Sequence, residues 1–254
     1  MPAPDPAVKR RRGGWFRRAP LEILLGLAVL AAGGGLLVVD RMAPGPPEAD
    51  GAADPPSTPS PTPSASPSAE PPVLLRSVVE EVDEAGGDLR VVDGSGATVG
   101  DGPEHTYLVE VEDGLPGDPE DFAAAVEQIL GDERGWTGGD DVALRRVDSG
   151  PADIRVALAA PATVDAMCAP LRTNGYVSCT QNGRAIINQN RWVSGVEHFD
   201  GDLETYRTYV VNHEVGHALG HGHVGCPGAG EPAPVMQQQT FGLDGCAPNG
   251  WVHP

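Results

Sequence analysis

The sequence predicts an α+β domain in the C-terminal part of the chain, and three observations predict it. Short stretches in which apolar and polar residues alternate read as strands. Two longer segments carry helical periodicity and helix punctuation. The residues before Val73 divide into a basic tail, one apolar run and a Pro-rich stretch, and none of these reads as a folded domain.

Residues 1–20 form a basic segment, with Lys9, Arg10, Arg11, Arg12, Arg17 and Arg18 opposed only by Asp5. Residues 21–39, "LEILLGLAVLAAGGGLLVV", are nearly uncharged and approach the ~20 residues that a bilayer core requires. Basic residues stay on the cytoplasmic side. The reading is a single transmembrane anchor in the cell membrane, with the N-terminus cytoplasmic and the remainder extracytoplasmic. A cleaved signal peptide is the alternative, but the run is long for one and no clear A-x-A site follows. Residues 40–72 are rich in Pro, Ser and Thr and lack apolar periodicity, so they read as a disordered linker. Residues 73–254 form the extracytoplasmic domain.

Within that domain Val73–Val82 is open between a short helix and a strand. Leu89–Val92, Thr106–Glu112, Val142–Val147, Ile154–Ala159 and Arg184–Asn190 are the strand candidates. "GDPEDFAAAVEQILGD" is a helix: Asp118 is placed as N-cap, Pro119 at the first helical position and Asp121 for a capping box. Its apolar face is Phe122, Val126, Ile129 and Leu130. A second helix runs from about Leu203 to Leu219. Mixed strands with two main helices and no internal repeat describe one α+β domain.

The formal net charge is −19, and residues 73–254 alone carry 29 acidic against 10 basic side chains. A body so acidic repels phosphate backbones, which excludes nucleic acid as a partner. The four cysteines are an even number in an exported domain and point to disulfides. Of the three possible connectivities the local one is preferred, Cys168–Cys179 with Cys226–Cys246, each bridge stabilising by about 3 kcal/mol.

Four of the seven histidines lie in "NHEVGHALGHGH", Asn212–His223. On a helix His213 and His217 stand ~40° apart around the axis and ~6 Å along it, so both imidazoles reach one ion. Glu214, rotated by ~100° from His213, borders that ion without ligating it. Gly220 can take positive φ and end the helix, and the chain can then return His223 as a third ligand. Three neutral imidazoles with one open position describe a catalytic zinc site, whereas structural sites are usually closed by four protein ligands. Glu214 is placed to take a proton from water there and pass it to a leaving amine. The plain alternative is a histidine-rich surface helix, but both sides of this one are apolar, as in a buried helix. His221 is a weaker candidate ligand than His223, and a disulfide explains Cys226 better than a zinc thiolate does. His105, His198 and His253 read as surface histidines. Gln237, Gln238 and Gln239 fit a cleft wall and a polar turn equally well.

"HEVGHALGHGH" resembles the metzincin form of the zinc metallopeptidases, HExxHxxGxxH. "APVMQQQT" offers Met236 as the methionine turn of that class. More fully, residues from about 105 to 254 resemble a family of exported metzincin-like proteins of high-GC Gram-positive bacteria. The shared stretches are "GWT", "IINQNRW", "YRTYVVNHEVGHALGHGH", "APVMQQQT" and "CAPNGWVHP". The resemblance implies a metzincin-like zincin domain: a twisted mixed sheet, an active-site helix, His213, His217 and His223 as ligands, Glu214 as base and Met236 beneath the metal. It also implies that the sheet's edge strand binds an extended peptide. Gln238 stands where some metzincins carry a tyrosine, and no latency cysteine precedes Cys168. The expected function is zinc-dependent hydrolysis of a peptide or protein substrate. The rival readings are an amidase of cell-wall peptides, a zinc-holding binding module without turnover, and a tether without metal.

Overall fold

The computed structural model describes residues 70–77, 79–139 and 141–254. The expected basic segment, transmembrane anchor and nearly all of the expected linker lie outside these residues. Among the described residues no helix is long and apolar enough to cross a membrane.

The domain is α+β with a mixed six-stranded sheet. In chain order the elements are β1 (Leu89–Val91), β2 (Glu104–Glu112), α1 (Pro119–Leu130), β3 (Ala143–Arg146), β4 (Ile154–Ala159), α2 (Pro161–Cys168), β5 (Cys179–Gln181), β6 (Arg184–Asn188), α3 (Gln189–Ser194) and α4 (Leu203–Ala218). The sheet runs β1-β2-β4-β6-β5, and β3 pairs with the start of β2. The pairs β2–β3, β2–β4 and β4–β6 are parallel, while β1–β2 and β5–β6 are antiparallel.

The period of two along the strands sorts side chains onto two faces. Tyr107, Val109 and Val111 of β2, Ile154, Val156 and Leu158 of β4, and Ala185 and Ile187 of β6 enter the main core. There they meet Phe122, Val126 and Ile129 of α1 and Tyr206, Val210, Val211 and Val215 of α4. The opposite face holds a smaller cluster, Ala159, Val164, Cys168, Cys179 and Ile186, under α2. Two buried acids complete that face. Glu110 pairs with Arg155 at 2.6 Å and Arg184 at 2.8 Å, and Glu112 accepts from the Ala160 amide at 2.7 Å and the Thr163 hydroxyl at 2.8 Å. With these partners the two carboxylates are satisfied on a largely buried sheet.

Several expectations need correction. The strand expected over Arg184–Asn190 stops at Asn188, whose side chain caps α3 by accepting from the Asn190 amide at 3.0 Å. An Asn cap ended the strand, which apolar alternation alone did not reveal. Both expected main helices form, as α1 and α4, and the described residues add two more, α2 and α3, which are too short to show a helical period. Val73–Leu75 is a 3-10 turn, and Glu80–Val82 is irregular. The cap of α1 is Asp118, which accepts from the Glu120 amide at 3.0 Å, but Asp121 does not close a capping box. Ser77 intervenes: its hydroxyl accepts from the Asp118 amide at 3.0 Å and donates to Asp121 Oδ2 at 2.7 Å.

Candidate metal centre

Helix α4 starts at the N-cap Asp202, which accepts from the Thr205 amide at 3.0 Å. Every residue from Tyr206 to Gly216 is buried, so the helix is enclosed on all sides rather than amphipathic. Arg207 is fully buried within it. Its guanidinium donates to the carbonyls of Trp192, Leu74 and Arg76 at 2.7, 3.1 and 2.8 Å and stacks on the Trp192 ring. The helix is thereby tied to the start of the domain.

The helix ends as its sequence requires. Gly220 has φ 97°, its amide donates to the His217 carbonyl at 3.0 Å, and the His221 amide donates to Gly216 at 2.9 Å. This is a Schellman stop, and it needs the left-handed residue. The chain turns there and brings His223 back over the last helical turn.

His213, His217 and His223 then form a group that can hold a metal ion: each offers one ring nitrogen, and these atoms lie within 4.8 Å of one another. His213 Nδ1 donates to the Val235 carbonyl at 2.8 Å, and His217 Nδ1 donates to the His221 carbonyl at 2.9 Å. Each carbonyl fixes a tautomer and leaves the Nε2 lone pair free for a metal. The Nε2 atoms of His217 and His223 are 2.9 Å apart, close to the ~3.3 Å expected of two nitrogens on one tetrahedral ion. The donor set can therefore hold a metal ion. Burial pushes His213 down to about 4 and also lowers His223, so these imidazoles stay neutral, the form that binds metal. His221 is not in the group; its ring stacks on Trp136 with centroids 4.4 Å apart.

Met236 lies under the helix. A Cβ at Gly216 would come within 2.5 Å of Met236 Sδ and of Trp136 Cζ2, so glycine is required by the close approach. The Trp136 indole donates to the Asn212 carbonyl at 2.9 Å. The Val224 amide, next to His223, donates to the Met236 carbonyl at 3.2 Å. The turn holding Met236 thus contacts the helix, His213 through Val235, and the loop of His223.

Glu214 faces the other way, toward the sheet edge. Burial pushes its carboxyl up to about 8, against the hydrogen bond from Thr180 that lowers it. Thr180 lies on β5, and its hydroxyl sits 2.9 Å from Glu214 Oε2 and 2.6 Å from the Glu214 carbonyl. Strand β5 is the antiparallel edge of the sheet and lines, with the three histidines and Glu214, a cleft of about 590 Å³. Thr180 was not singled out from the sequence. The signal that could have found its hairpin is Asn182-Gly183, both at positive φ, the dipeptide of a tight hairpin turn.

Both disulfides form as expected, Cys168–Cys179 and Cys226–Cys246. The first ties α2 to the edge strand of the cleft, and the second closes the segment after His223. Of the three glutamines only Gln238 lines the cleft. Gln237 and Gln239 are buried and bond backbone carbonyls, among them Leu243 at 2.9 Å and Asn249 at 2.8 Å. His198 is half-buried and its Nε2 reaches the Gln239 carbonyl at 2.5 Å, so it braces this turn rather than standing free on the surface.

A family model described as protein of unknown function, DUF3152, matches residues 77–250. The chain belongs to the DUF3152 family. The DUF3152 match spans the whole sheet, all four α-helices, the three histidines, Glu214, Met236 and all four cysteines. No curated protein matches the chain significantly.

Proposed function

We propose that the chain is a zinc-dependent metallopeptidase of metzincin-like design, anchored in the cell membrane and working on its outer side. The observation that carries this reading is the convergence of three imidazoles within 4.8 Å beside a buried carboxyl, in a cleft bordered by a sheet edge. The anchor and orientation rest on the sequence of residues 1–39.

His213, His217 and His223 would hold the zinc, with Met236 packed beneath α4. A zinc ion supplies a Lewis acid that polarises a carbonyl and lowers the pKa of water toward ~7. Glu214 takes a proton from the attacking water, whose oxygen bonds to the peptide carbonyl carbon. As the C–N bond breaks, Glu214 gives the proton to the leaving nitrogen. Thr180 holds one carboxylate oxygen of Glu214 against β5, leaving the other for water. The substrate backbone pairs with the free edge of β5, where main-chain groups find main-chain partners.

Metal analysis of the purified full-length protein, with hydrolysis of a casein-like peptide by wild type and Glu214→Gln, tests this. The expected result is one zinc per chain in both and a loss of about a thousandfold in rate for the variant. Equal rates with zinc retained would leave a binding module in its place. Hydrolysis of muropeptides but not of casein-like peptides would mark a cell-wall amidase.

A further inference from the structure

Residues 73–254 contain ten arginines among 29 acids. Eight of the ten form ion pairs with carboxylates, and Arg207 donates to three carbonyls. Arg172 alone has neither an ion pair nor a hydrogen bond among the described residues. It is exposed, and it lines the cleft that holds Glu214 and the three histidines. Apart from those histidines, Glu214 and the Tyr209 phenol, Arg172 is the only titratable side chain among the described residues lining the cleft, and it is the only arginine there.

Its loop is held in place without it. The Cys168–Cys179 bridge closes the loop, and the Leu171 amide donates to the Cys168 carbonyl at 2.9 Å. The nearest acid in sequence, Asp165, already accepts from the Thr173 hydroxyl and, at 2.8 Å, from the Gly175 amide. A guanidinium presents a fork of donors that matches a carboxylate. In a body this acidic, the long-range field disfavours anionic peptides, so an unpaired fork at the cleft selects a carboxylate at short range.

We propose that Arg172 is a specificity-determining residue that binds a carboxylate of the peptide substrate. This rests on the peptidase reading and names the substrate class for that same cleft. The carboxylate is an Asp or Glu side chain near the cleaved bond, or the free C-terminus of a short peptide.

The test uses the full-length, zinc-loaded protein and labelled nine-residue alanine-rich peptides. One set carries a single Glu and another a single Gln at each position in turn, all with amidated C-termini. A third set has no Glu but a free C-terminal carboxylate. Rates are read with wild type, and binding is read by fluorescence anisotropy with wild type and with Glu214→Gln. A carboxylate is expected to improve KM and binding by about tenfold at one position. That advantage disappears in Arg172→Gln, and Arg172→Glu favours a Lys peptide instead. An advantage from internal Glu assigns the carboxylate to a side chain, and one from the free terminus assigns it to the peptide end; either supports the proposal. Equal behaviour of charged and neutral peptides, no binding at all, or an advantage that survives Arg172→Gln overturns it. Binding without hydrolysis refutes the peptidase reading separately, because the anisotropy comparison still decides the role of Arg172.

Discussion

The cleft has two walls of different origin. The histidine wall is α4, its glycine stop, the loop of His223 and the turn of Met236, all within residues 203–239. The strand wall is β5, with the disulfide-closed loop before it and the Asn182-Gly183 turn after it. The first wall gathers its chemical groups through local geometry, a helical repeat followed by one left-handed residue. The second reaches the site only because β5 pairs with β6 and the sheet packs on α4. Glu214 joins the two: it belongs to the helix by sequence and to the strand by its hydrogen bonds to Thr180. Reactive groups can therefore be written in a short motif while the surface that aligns a substrate with them is spread over the sheet.

The sharpest way to break the histidine wall is His217→Ala. Zinc content should fall from one per chain to background, and the rise in Tm on adding zinc to the stripped protein should vanish, since only a native site contributes that shift. Stoichiometric zinc in the variant would show that the metal sits elsewhere.

Breaking the strand wall tests the other half. Removing the first bridge with Cys168→Ala and Cys179→Ala should cost about 3 kcal/mol in denaturant unfolding. Zinc affinity should change little, because none of the three histidines lies on that wall. A large loss of zinc would mean that the two walls are not separable.

Gly216→Ala probes the floor of the histidine wall. The added methyl meets Met236 and Trp136, so a loss of about 2 kcal/mol is expected. Unchanged stability would show that the methionine turn moves freely under the helix.

The smallest effect concerns the link between the walls. Thr180→Val removes the hydroxyl that favours the ionised form of Glu214. Hydrolysis should slow by about tenfold, and the acidic limb of the rate profile should move to higher pH, because the carboxyl then holds its proton more tightly. A profile that stays in place, or moves to lower pH, would show that Thr180 does not act on Glu214.

Much of the fold was legible where local rules act alone. Ile154–Ala159 reads as a strand from its own residues and appears with the expected bounds, and Asp118-Pro119 starts α1 where caps do. Gly220 stops α4 because it takes the left-handed φ that the helix end needs. What escaped the pattern was short or indirect. Helix α3 has six residues, too few for a period, and its Asn188 cap was hidden at the end of a strand. The capping of Asp118 was completed by Ser77, 41 residues away, which no local motif encodes.

By itself, then, the sequence determined the spacing of the three histidines and the helix stop, because each depends on backbone geometry over a few residues. Only the tertiary structure decided that Thr180 holds Glu214, that Met236 and Trp136 close on Gly216, and that Arg172 alone of the described arginines has no partner among the described residues. Those relations arise from the register of the sheet and the packing of α4 against it, which bring together residues that no short-range rule connects.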